Sequence, residues 1–350
     1  MIKIDIEDRE NWNKIIKGFE NWDVYYLNEY AKSLQIHGDG SPFLLYWEEE
    51  NQKMAYVVME NDIAEFAPFV NNIPQNRYYD WTTPYGYGGP LLNNGATEEF
   101  VRKNIEDTIR YAKEHKIVSS FFRYHPLMQN HKSVEKFVKV IHEKQTVYVD
   151  TSSVDTIWRN MTPNNRNMVR KAEKNGITIV ADQGEKIEEF IKIYDATMKK
   201  NNADEYYYFK KEYFEYLMEH LQDNCIFFYA LYEEKIISAS IFLFNEKYMH
   251  YHLSGTLAEY NKLGATNMLL TKAAEWAAER GIEKFHLGGG VDNEDSLLRF
   301  KKHFNRYGLI DFCIGAEIFL EDDFRKLVEI RKNTDPIYDV NRPFLIKYRG

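Results

Sequence analysis

The sequence predicts an α/β protein of mixed α+β type, with two tandem modules that each contain a mixed central sheet flanked by helices. Two observations support this prediction. The chain has 350 residues, about two domain lengths, and its 44% hydrophobic and 28% charged residues are typical of a globular protein. The order hairpin, strand, loop, helix, strand occurs in each half, so we place the modules at residues 1–150 and 151–350.

The elements of the first module are predicted from short apolar runs and from the turn residues between them. The expected elements are helices over 7–19 and 27–34, a hairpin over 43–47 and 54–58, a strand over 63–69, a helix over 98–115 and a strand over 117–124. Thr97 is a suitable cap for the long helix. Residues 81–91 contain too many Gly and Pro residues for regular structure.

The second module repeats this order after a basic linking segment. That segment, 154–179, is predicted to be helical, and Pro163 marks a helix start or a kink in it. The expected elements that follow are a hairpin over 226–232 and 236–244, a strand over 248–254, a helix over 265–280, a strand over 284–287 and a final helix over 322–332.

Charge and cysteine content exclude several classes of protein. With 45 Lys and Arg against 54 Asp and Glu, the net charge of −9 argues against a protein that coats nucleic acid, although a local basic groove is compatible with it. Cys225 and Cys313 lie far apart without His clustering, so we expect no disulfide framework and no metal site. The chain begins without an apolar signal region, and its longest apolar runs have the length of strands. We therefore expect a cytoplasmic protein without stable membrane insertion.

The usual catalytic signatures are absent from the sequence. It contains no phosphate-binding P-loop, no dinucleotide fingerprint, no H-E-x-x-H and no G-x-S-x-G motif. A candidate anion site remains where small residues lead into the helix predicted over 265–280, namely Gly264, Ala265, Thr266 and Asn267. Backbone N–H groups and the helix dipole at such a position attract an anion such as pyrophosphate. The same residues also suit an ordinary helix start.

The order of elements resembles the GNAT acyltransferase fold, and four segments resemble its Fem-type (FemABX-like) peptidyltransferase branch and the acetyltransferase relatives of that branch. The segments are 85–91 (YGYGGPL), the basic helix 165–176, residues 251–256 with the helix up to Gly281, and Gly288–Gly290 followed by 296–304. Together they span about residues 80–305, and their order and spacing make the combination specific. On this resemblance both modules are GNAT-like.

The resemblance implies an enzyme that transfers an acyl group to an amine. Fem-type enzymes move an aminoacyl group from aminoacyl-tRNA to a peptidoglycan precursor in cell-wall biogenesis, whereas relatives use acyl-CoA. The implied partners are a nucleotide-linked or sugar/peptide small-molecule acceptor and tRNA, with the acyl donor as co-substrate and no tightly bound cofactor. Asn261 stands where the GNAT loop for coenzyme A usually has Arg or Gln, so the donor stays open. The alternatives are an acyl-CoA-dependent N-acetyltransferase acting on an amino sugar or small amine, and a non-catalytic GNAT-fold binding protein.

The candidate catalytic residues are Lys301 and His252. An amine that attacks an ester or thioester produces an oxyanion, and a cation near that oxygen is worth roughly 10²–10³ in rate. The resemblance places the family's Phe-Lys pair at Phe300 and Lys301. His252 is a candidate base because an unperturbed histidine titrates near neutral pH, although the substrate's own phosphate or hydroxyl could take the proton. The ordinary alternatives are a surface lysine and a structural histidine.

Several residues are candidates for substrate contacts. The loop with Tyr85, Gly86, Tyr87 and Gly88 can bring backbone N–H groups close to a ligand, or can be a tight structural turn. The other candidates are Arg166, Arg170 and Lys171 on the basic helix, and the hydroxyl-bearing Tyr208, Tyr251 and Ser254. Their alternatives are a solvated helix face and core packing. We interpret Gly288–Gly290 as a turn that gives access to Lys301, since the carboxylates of Asp292, Glu294 and Asp295 would repel a phosphate there.

Overall fold

The computed structural model describes residues 1–290 and 295–350. The strands are β1 (Ile2–Asp5), β2 (Ser41–Glu49), β3 (Gln52–Asp62), β4 (Tyr79–Thr82), β5 (Leu91–Leu92), β6 (Ile117–Arg123), β7 (Val140–Asp150), β8 (Thr178–Asp182), β9 (Cys225–Tyr232), β10 (Lys235–Phe244), β11 (Tyr248–Thr256), β12 (Lys284–Gly289) and β13 (Leu309–Ile318). The helices are α1 (Arg9–Lys17), α2 (Asn28–His37), α3 (Glu98–Glu114), α4 (Val154–Asn160), α5 (Pro163–Lys174), α6 (Ile187–Lys200), α7 (Lys211–His220), α8 (Ala265–Glu279), α9 (Ser296–Lys302) and α10 (Glu321–Thr334). The mixed α/β class is therefore confirmed.

The chain divides into two compact units. The first comprises Met1–Glu143 together with Phe312–Gly350, and the second comprises Lys144–Asp311. This division differs from the predicted one because the C-terminal segment belongs to the first unit. Strands β7 and β13 each contain residues of both units.

The first unit contains the predicted hairpin, helix and final strand, together with a strand, β4, that was not predicted. Strands β2 and β3 form an antiparallel hairpin, β3 pairs with β4, and β4 runs parallel to β6. The predicted cap of α3 is confirmed, because the Thr97 side chain accepts a hydrogen bond from the Phe100 N–H at 3.3 Å. Helix α3 buries Phe100 and Ile105 in a core beneath it that also contains Trp81.

The strand predicted over 63–69 is wrong. Two short 3-10 turns, Ile63–Glu65 and Ala67–Phe69, occupy this segment, and the third strand of the module is β4. The Asp62 side chain accepts a hydrogen bond from the Ala64 N–H, which favours a turn over a ladder. Pro68 lacks the N–H that a strand would have to donate.

The C-terminal segment belongs to the first unit because its apolar residues pack into the core of that unit and its polar residues form hydrogen bonds there. Helix α10 buries Phe324 and Leu327 in a core with Ile63, Phe69, Tyr78, Val118, Ile346 and Tyr348. The guanidinium of Arg349 donates two hydrogen bonds of 2.8 Å to the carboxylate of Asp80. The Tyr348 hydroxyl donates to the same carboxylate at 2.9 Å.

The second unit contains the same series of elements. Strands β9 and β10 form the antiparallel hairpin, β11 pairs with β10, α8 follows, and β12 runs parallel to β11. The helical segment predicted over 154–179 contains two helices, α4 and α5, and Pro163 is the first residue of α5 after the capping Thr162. The end of that prediction is wrong, because residues 178 and 179 belong to β8. Sequence patterns did not predict β7, β8, α6, α7 or β13. None of the helices in the described part of the chain is long and apolar enough to span a membrane.

Candidate active site

The second unit has a gap between two parallel strands. Strand β11 pairs with β12 over only three residue pairs, from Tyr248–Lys284 to His250–His286. Beyond them β11 contains a bulge, because Leu253 pairs with Ile241 and Tyr251 pairs with Phe242, which leaves His252 as the extra residue. Strand β12 shifts its register with β7 between His286 and Gly288. We refer to the region beyond these last pairs as the β11/β12 gap.

Lys301 lies at this gap. Helix α9 begins at the capping residue Asp295, whose carboxylate accepts a hydrogen bond from the Leu298 N–H at 2.6 Å. Although it is a lysine, Lys301 is only 7% exposed. Its Nζ donates to the carbonyl oxygen of Gly289 on β12 at 2.7 Å and lies 5.9 Å from the centre of the Tyr251 ring on β11. The ammonium group is therefore in contact with both strands.

The environment of Lys301 changes its protonation. Burial lowers its pKa from 10.5 to about 7, with the positive charge of Lys144 adding to this effect and the carboxylate of Asp295 opposing it. At neutral pH the side chain is thus divided between its charged and neutral forms. Such an amine can stabilise developing negative charge and can also exchange a proton with a substrate.

His252 is held at the bulge by a tyrosine from α7. Its Nε2 lies 2.7 Å from the hydroxyl of Tyr213. Burial, followed by the nearby His250, lowers the pKa of His252 to about 3. An imidazole with this pKa is a weak base at neutral pH, and the catalytic role predicted for His252 stays a prediction.

Three other predicted residues lie on the elements around the gap. The Tyr251 hydroxyl donates to Ser254 Oγ at 2.6 Å, and its ring stacks on Phe242 with the ring centres 5.8 Å apart. Phe300 precedes Lys301 and packs edge-on against Phe304 at the margin of the core. The gap therefore brings together Lys301, Tyr251 and Ser254.

Tyr208 lies between α6 and α7 and is half-buried. Its backbone N–H donates to the Glu205 carbonyl, which closes the short 3-10 turn Glu205–Tyr207. The substrate contact predicted for Tyr208 stays a prediction.

The start of α8 is in contact with α5. A Cβ at Gly264, whose φ is +80°, would lie 2.7 Å from the Met168 carbonyl oxygen. Asn267 Nδ2 donates to Asn165 Oδ1 at 2.5 Å, and the Thr266 hydroxyl lies 3.0 Å from that of Thr256. Ala265 is buried, whereas Asn261 is exposed in the 3-10 segment Ala258–Leu263. The polar side chains in the first turn of α8 thus form hydrogen bonds with other residues of the second unit.

The basic residues of α5 have two different environments. Arg166 Nη1 donates to the carbonyl oxygens of Trp158 at 3.1 Å and Met161 at 2.6 Å, so this side chain caps the end of α4. Arg170 and Lys171 are exposed, on the side of α5 away from the buried Val169. Sequence spacing alone did not distinguish these roles.

The glycine-rich loop lies in the first unit and is packed among aromatic rings. The Tyr85 carbonyl accepts a hydrogen bond from the Tyr30 hydroxyl at 2.7 Å. A Cβ at Gly86, whose φ is +89°, would lie 2.8 Å from the Tyr25 ring. Gly88 donates its N–H to the Arg123 carbonyl at 2.8 Å. The ring of Tyr87 packs against those of His125 and Phe312. These contacts account for the glycines, and ligand binding by the loop stays a prediction.

Two side chains near the gap were missed by the sequence analysis. Lys144 on β7 donates from Nζ to the Gly290 carbonyl at 2.8 Å, and Tyr213 contacts His252 as described above. Neither residue stands in a recognisable motif, so only the pairing of β7 with β12 and the packing of α7 reveal them. Of the carboxylates expected after the glycines, Asp295 caps α9, while Asp292 and Glu294 lie outside the described residues.

Comparison with known proteins shows a similar domain and similar folds. Residues 159–302 match a family model described as an acetyltransferase (GNAT) domain. A crystal structure of FemX is similar with a TM-score of 0.68 at 12% identity, covering 93% of this chain and 99% of that one. The C-terminal domain of a putative lysylphosphatidylglycerol synthetase from Agrobacterium fabrum gives a TM-score of 0.57 at 14% identity, covering 88% and 91%.

A tandem GNAT protein from the clavulanic acid biosynthesis pathway gives a TM-score of 0.50 at 7% identity, covering 90% of this chain and 97% of that one. No curated protein matches the sequence significantly. The match over residues 159–302 shows that this segment is similar to an acetyltransferase (GNAT) domain. The fold of the chain is similar to that of FemX, in agreement with the resemblance recognised in the sequence.

Proposed function

We propose that the second unit transfers an aminoacyl group from aminoacyl-tRNA to an amine of a cell-envelope precursor, with peptidoglycan precursors as the leading acceptor class. The observation that carries this proposal is the buried amine of Lys301 at the β11/β12 gap, 2.7 Å from the Gly289 carbonyl. A buried lysine is costly to maintain, and such groups concentrate at functional sites.

The chemistry of acyl transfer suits this site. The attacking amine forms a tetrahedral intermediate whose oxygen carries negative charge, and a pre-positioned cation in a site of low polarity stabilises that charge strongly. Lys301 supplies this cation when it is protonated, and Tyr251 provides an aromatic wall beside it. His252 remains a weaker candidate for proton transfer because of its low pKa.

The proposed donor follows from two surfaces of the second unit. The first turn of α8, where a coenzyme A pyrophosphate was expected, is engaged with α5 through Gly264 and Asn267. On α5, Arg170 and Lys171 are exposed to solvent, and exposed cations of this kind contact a nucleic-acid backbone. Both features favour an aminoacyl-tRNA over an acyl-CoA.

The acceptor is proposed from the Fem-type resemblance and the similarity to FemX. The similarity to a putative lysylphosphatidylglycerol synthetase domain also supports an aminoacyl group as the unit transferred. In the second candidate function an acyl-CoA is the donor and an amino sugar or small amine is the acceptor. The family model, described as an acetyltransferase domain, favours that alternative.

A transfer assay with each donor tests the proposal. The protein is incubated with a nucleotide-linked muropeptide and either a mixture of aminoacyl-tRNAs or acetyl-CoA, and products are identified by mass spectrometry. We expect an aminoacylated muropeptide from the tRNA reaction only. Transfer from acetyl-CoA alone, to any amine, would establish the second candidate function instead.

The role of α5 is tested separately by tRNA binding. The double variant Arg170→Gln, Lys171→Gln removes two exposed charges from α5. It should weaken tRNA binding and reduce the slope of log K against log salt by roughly one to two. The matched control is Lys199→Gln, Lys200→Gln at the end of α6, where both side chains are also exposed. Equal losses in the two double variants would contradict a specific role for α5.

A further inference from the structure

Two lysines are held by consecutive carbonyl groups at the end of β12. Lys301 donates to the Gly289 carbonyl at 2.7 Å, and Lys144 donates to the Gly290 carbonyl at 2.8 Å. The lysines come from different elements, since Lys301 is on α9 and Lys144 is on β7. Like charges repel, so an arrangement that brings two ammonium groups to adjacent peptide units needs support from the surrounding structure.

The glycine turn provides that support. Gly288 has a φ of +74°, which favours glycine. A Cβ on Gly289 would lie 2.9 Å from the Gln145 carbonyl oxygen, and one on Gly290 would collide with the Asp295 carboxylate. The turn is therefore confined between β7 and the capping residue of α9. Side chains larger than hydrogen would displace the carbonyl groups that both lysines use.

Few charges act on Lys301 in the described part of the chain. Asp295 favours its protonated form and Lys144 opposes it, while burial is the largest influence. The Asp295 carboxylate also accepts a hydrogen bond from the Leu298 N–H. On β12 the titratable neighbour is His286, which is buried and lies 2.9 Å from the Thr146 hydroxyl. On β11 the neighbours are Tyr251, whose ring faces the ammonium, and His252, which contacts Tyr213.

We infer that Lys301 in its neutral form takes the proton from the attacking amine, and that Lys144 is a positioning residue that holds the Gly290 carbonyl and adds a positive charge to the surroundings of Lys301. This inference rests on the proposed function, because it needs an amine acceptor at the gap. It goes beyond that function by assigning the base and a second lysine that acts on it.

The proton and electron pairs balance in this scheme. The nitrogen lone pair of the acceptor attacks the acyl carbon and forms a C–N bond, while the carbonyl electrons move to oxygen. The proton lost by the nitrogen goes to Lys301 Nζ, and the resulting ammonium lies beside the oxyanion. When the tetrahedral intermediate collapses, the bond from carbon to the ester oxygen breaks, and Lys301 returns the proton to that leaving oxygen.

The state of Lys301 can be measured without substrate. The protein is labelled with [ε-¹³C]lysine, and the Lys301 signal is identified by its loss in Lys301→Met and titrated by NMR. In Lys144→Met the midpoint for Lys301 should rise by about one pH unit, because a neighbouring positive charge is removed. Lys144→Arg keeps that charge and should leave the midpoint near that of the unmodified protein.

A matched control separates this effect from general charge loss. Lys302→Met removes the neighbouring but exposed charge on α9 and should leave the Lys301 midpoint unchanged. An unchanged midpoint in Lys144→Met, or equal shifts in Lys144→Met and Lys302→Met, would overturn the inference. If Lys144→Met does not fold, Lys144→Gln makes the same comparison.

The pH dependence of kcat/KM then tests the catalytic part. In Lys144→Met the acidic limb should move to higher pH by the amount seen in the titration, with activity recovered at high pH. If the NMR midpoint of Lys301 shifts in Lys144→Met but the acidic limb of the kcat/KM profile does not, Lys301 is not the base. Failure of all donors to support transfer would instead contradict the proposed function, and the titration result would stand.

Discussion

The two units contain the same series of elements but differ where their parallel strands end. In the first unit β4 and β6 pair as far as Thr82 and Phe121, and the Thr83 N–H continues the contact to the Phe121 carbonyl at 3.1 Å. The Thr83 hydroxyl then accepts a hydrogen bond from the Arg123 N–H at 3.1 Å. In the second unit the parallel pairing ends after three residue pairs. One unit closes this position, and the other leaves the β11/β12 gap.

The glycines of the two units differ in the same way. In the first unit Gly86 and Gly89 allow aromatic rings to approach, since a Cβ on either would lie 2.8 Å from a tyrosine ring. In the second unit Gly289 and Gly290 present carbonyl groups to two lysines. A similar series of elements thus supports a packed loop in the first unit and a buried amine in the second. The difference arises from a few residues at the strand ends.

The largest effect is expected from removing the amine at the gap. Lys301→Ala should reduce kcat by about 10²-fold or more, because the developing oxyanion loses its cation. Lys302→Ala is the matched control, since that side chain is exposed on the same helix, and we expect less than about a twofold change. Steady-state kinetics with thermal unfolding of each variant makes the measurement. Wild-type kinetics in a folded Lys301→Ala protein would remove Lys301 from the mechanism.

A stability effect is expected from the first unit. Asp80→Asn leaves the half-buried guanidinium of Arg349 and the buried Tyr348 hydroxyl without their carboxylate. Breaking a pair in which only one partner is fully buried costs about 2 kcal/mol, whereas Asp322→Asn, in an exposed pair with Arg325, should cost about 0.5 kcal/mol or less. Urea unfolding measures both. Similar midpoints for the two variants would show that the C-terminal segment does not stabilise the first unit.

The smallest effect is a pH dependence of stability that comes from Lys301. Its pKa falls from 10.5 to about 7 on folding, so between these values the unfolded state binds one more proton. Stability should therefore rise with pH above about 7, by roughly 1.4 kcal/mol per unit relative to Lys301→Met. The difference in unfolding free energy between the two proteins, measured from pH 6 to pH 9, tests this. Parallel profiles would show that Lys301 titrates normally in the folded protein.

Much of the fold could be predicted because its signals are local. The hairpins, α3, α8 and the final helix follow from apolar periodicity, turn residues and caps such as Thr97. The segment over 63–69 was predicted wrongly because its apolar residues mimic a strand, whereas Asp62 and Pro68 favour turns. Strands β7, β8 and β13 were missed because their partners lie far away in sequence.

The candidate site was predictable only in part. Lys301 and Tyr251 stand in segments that resemble the Fem-type family, and the structure brings both to the gap. Arg166 had the same sequence signal as Arg170, but its contacts with the end of α4 give it a structural role. Lys144 carried no signal at all, since its importance depends on one hydrogen bond to a residue far along the chain.

The sequence by itself determined the fold class, most elements of the series found in each unit, and the acyltransferase resemblance. These follow from patterns that extend over a few residues and from side-chain types that chemistry requires. Only the tertiary structure decided which charges are buried, which strands separate and which segment completes the first unit. Burial lowers the pKa of Lys301 and the pairing of β12 with β7 brings Lys144 beside it, and both effects depend on distances in space rather than along the chain.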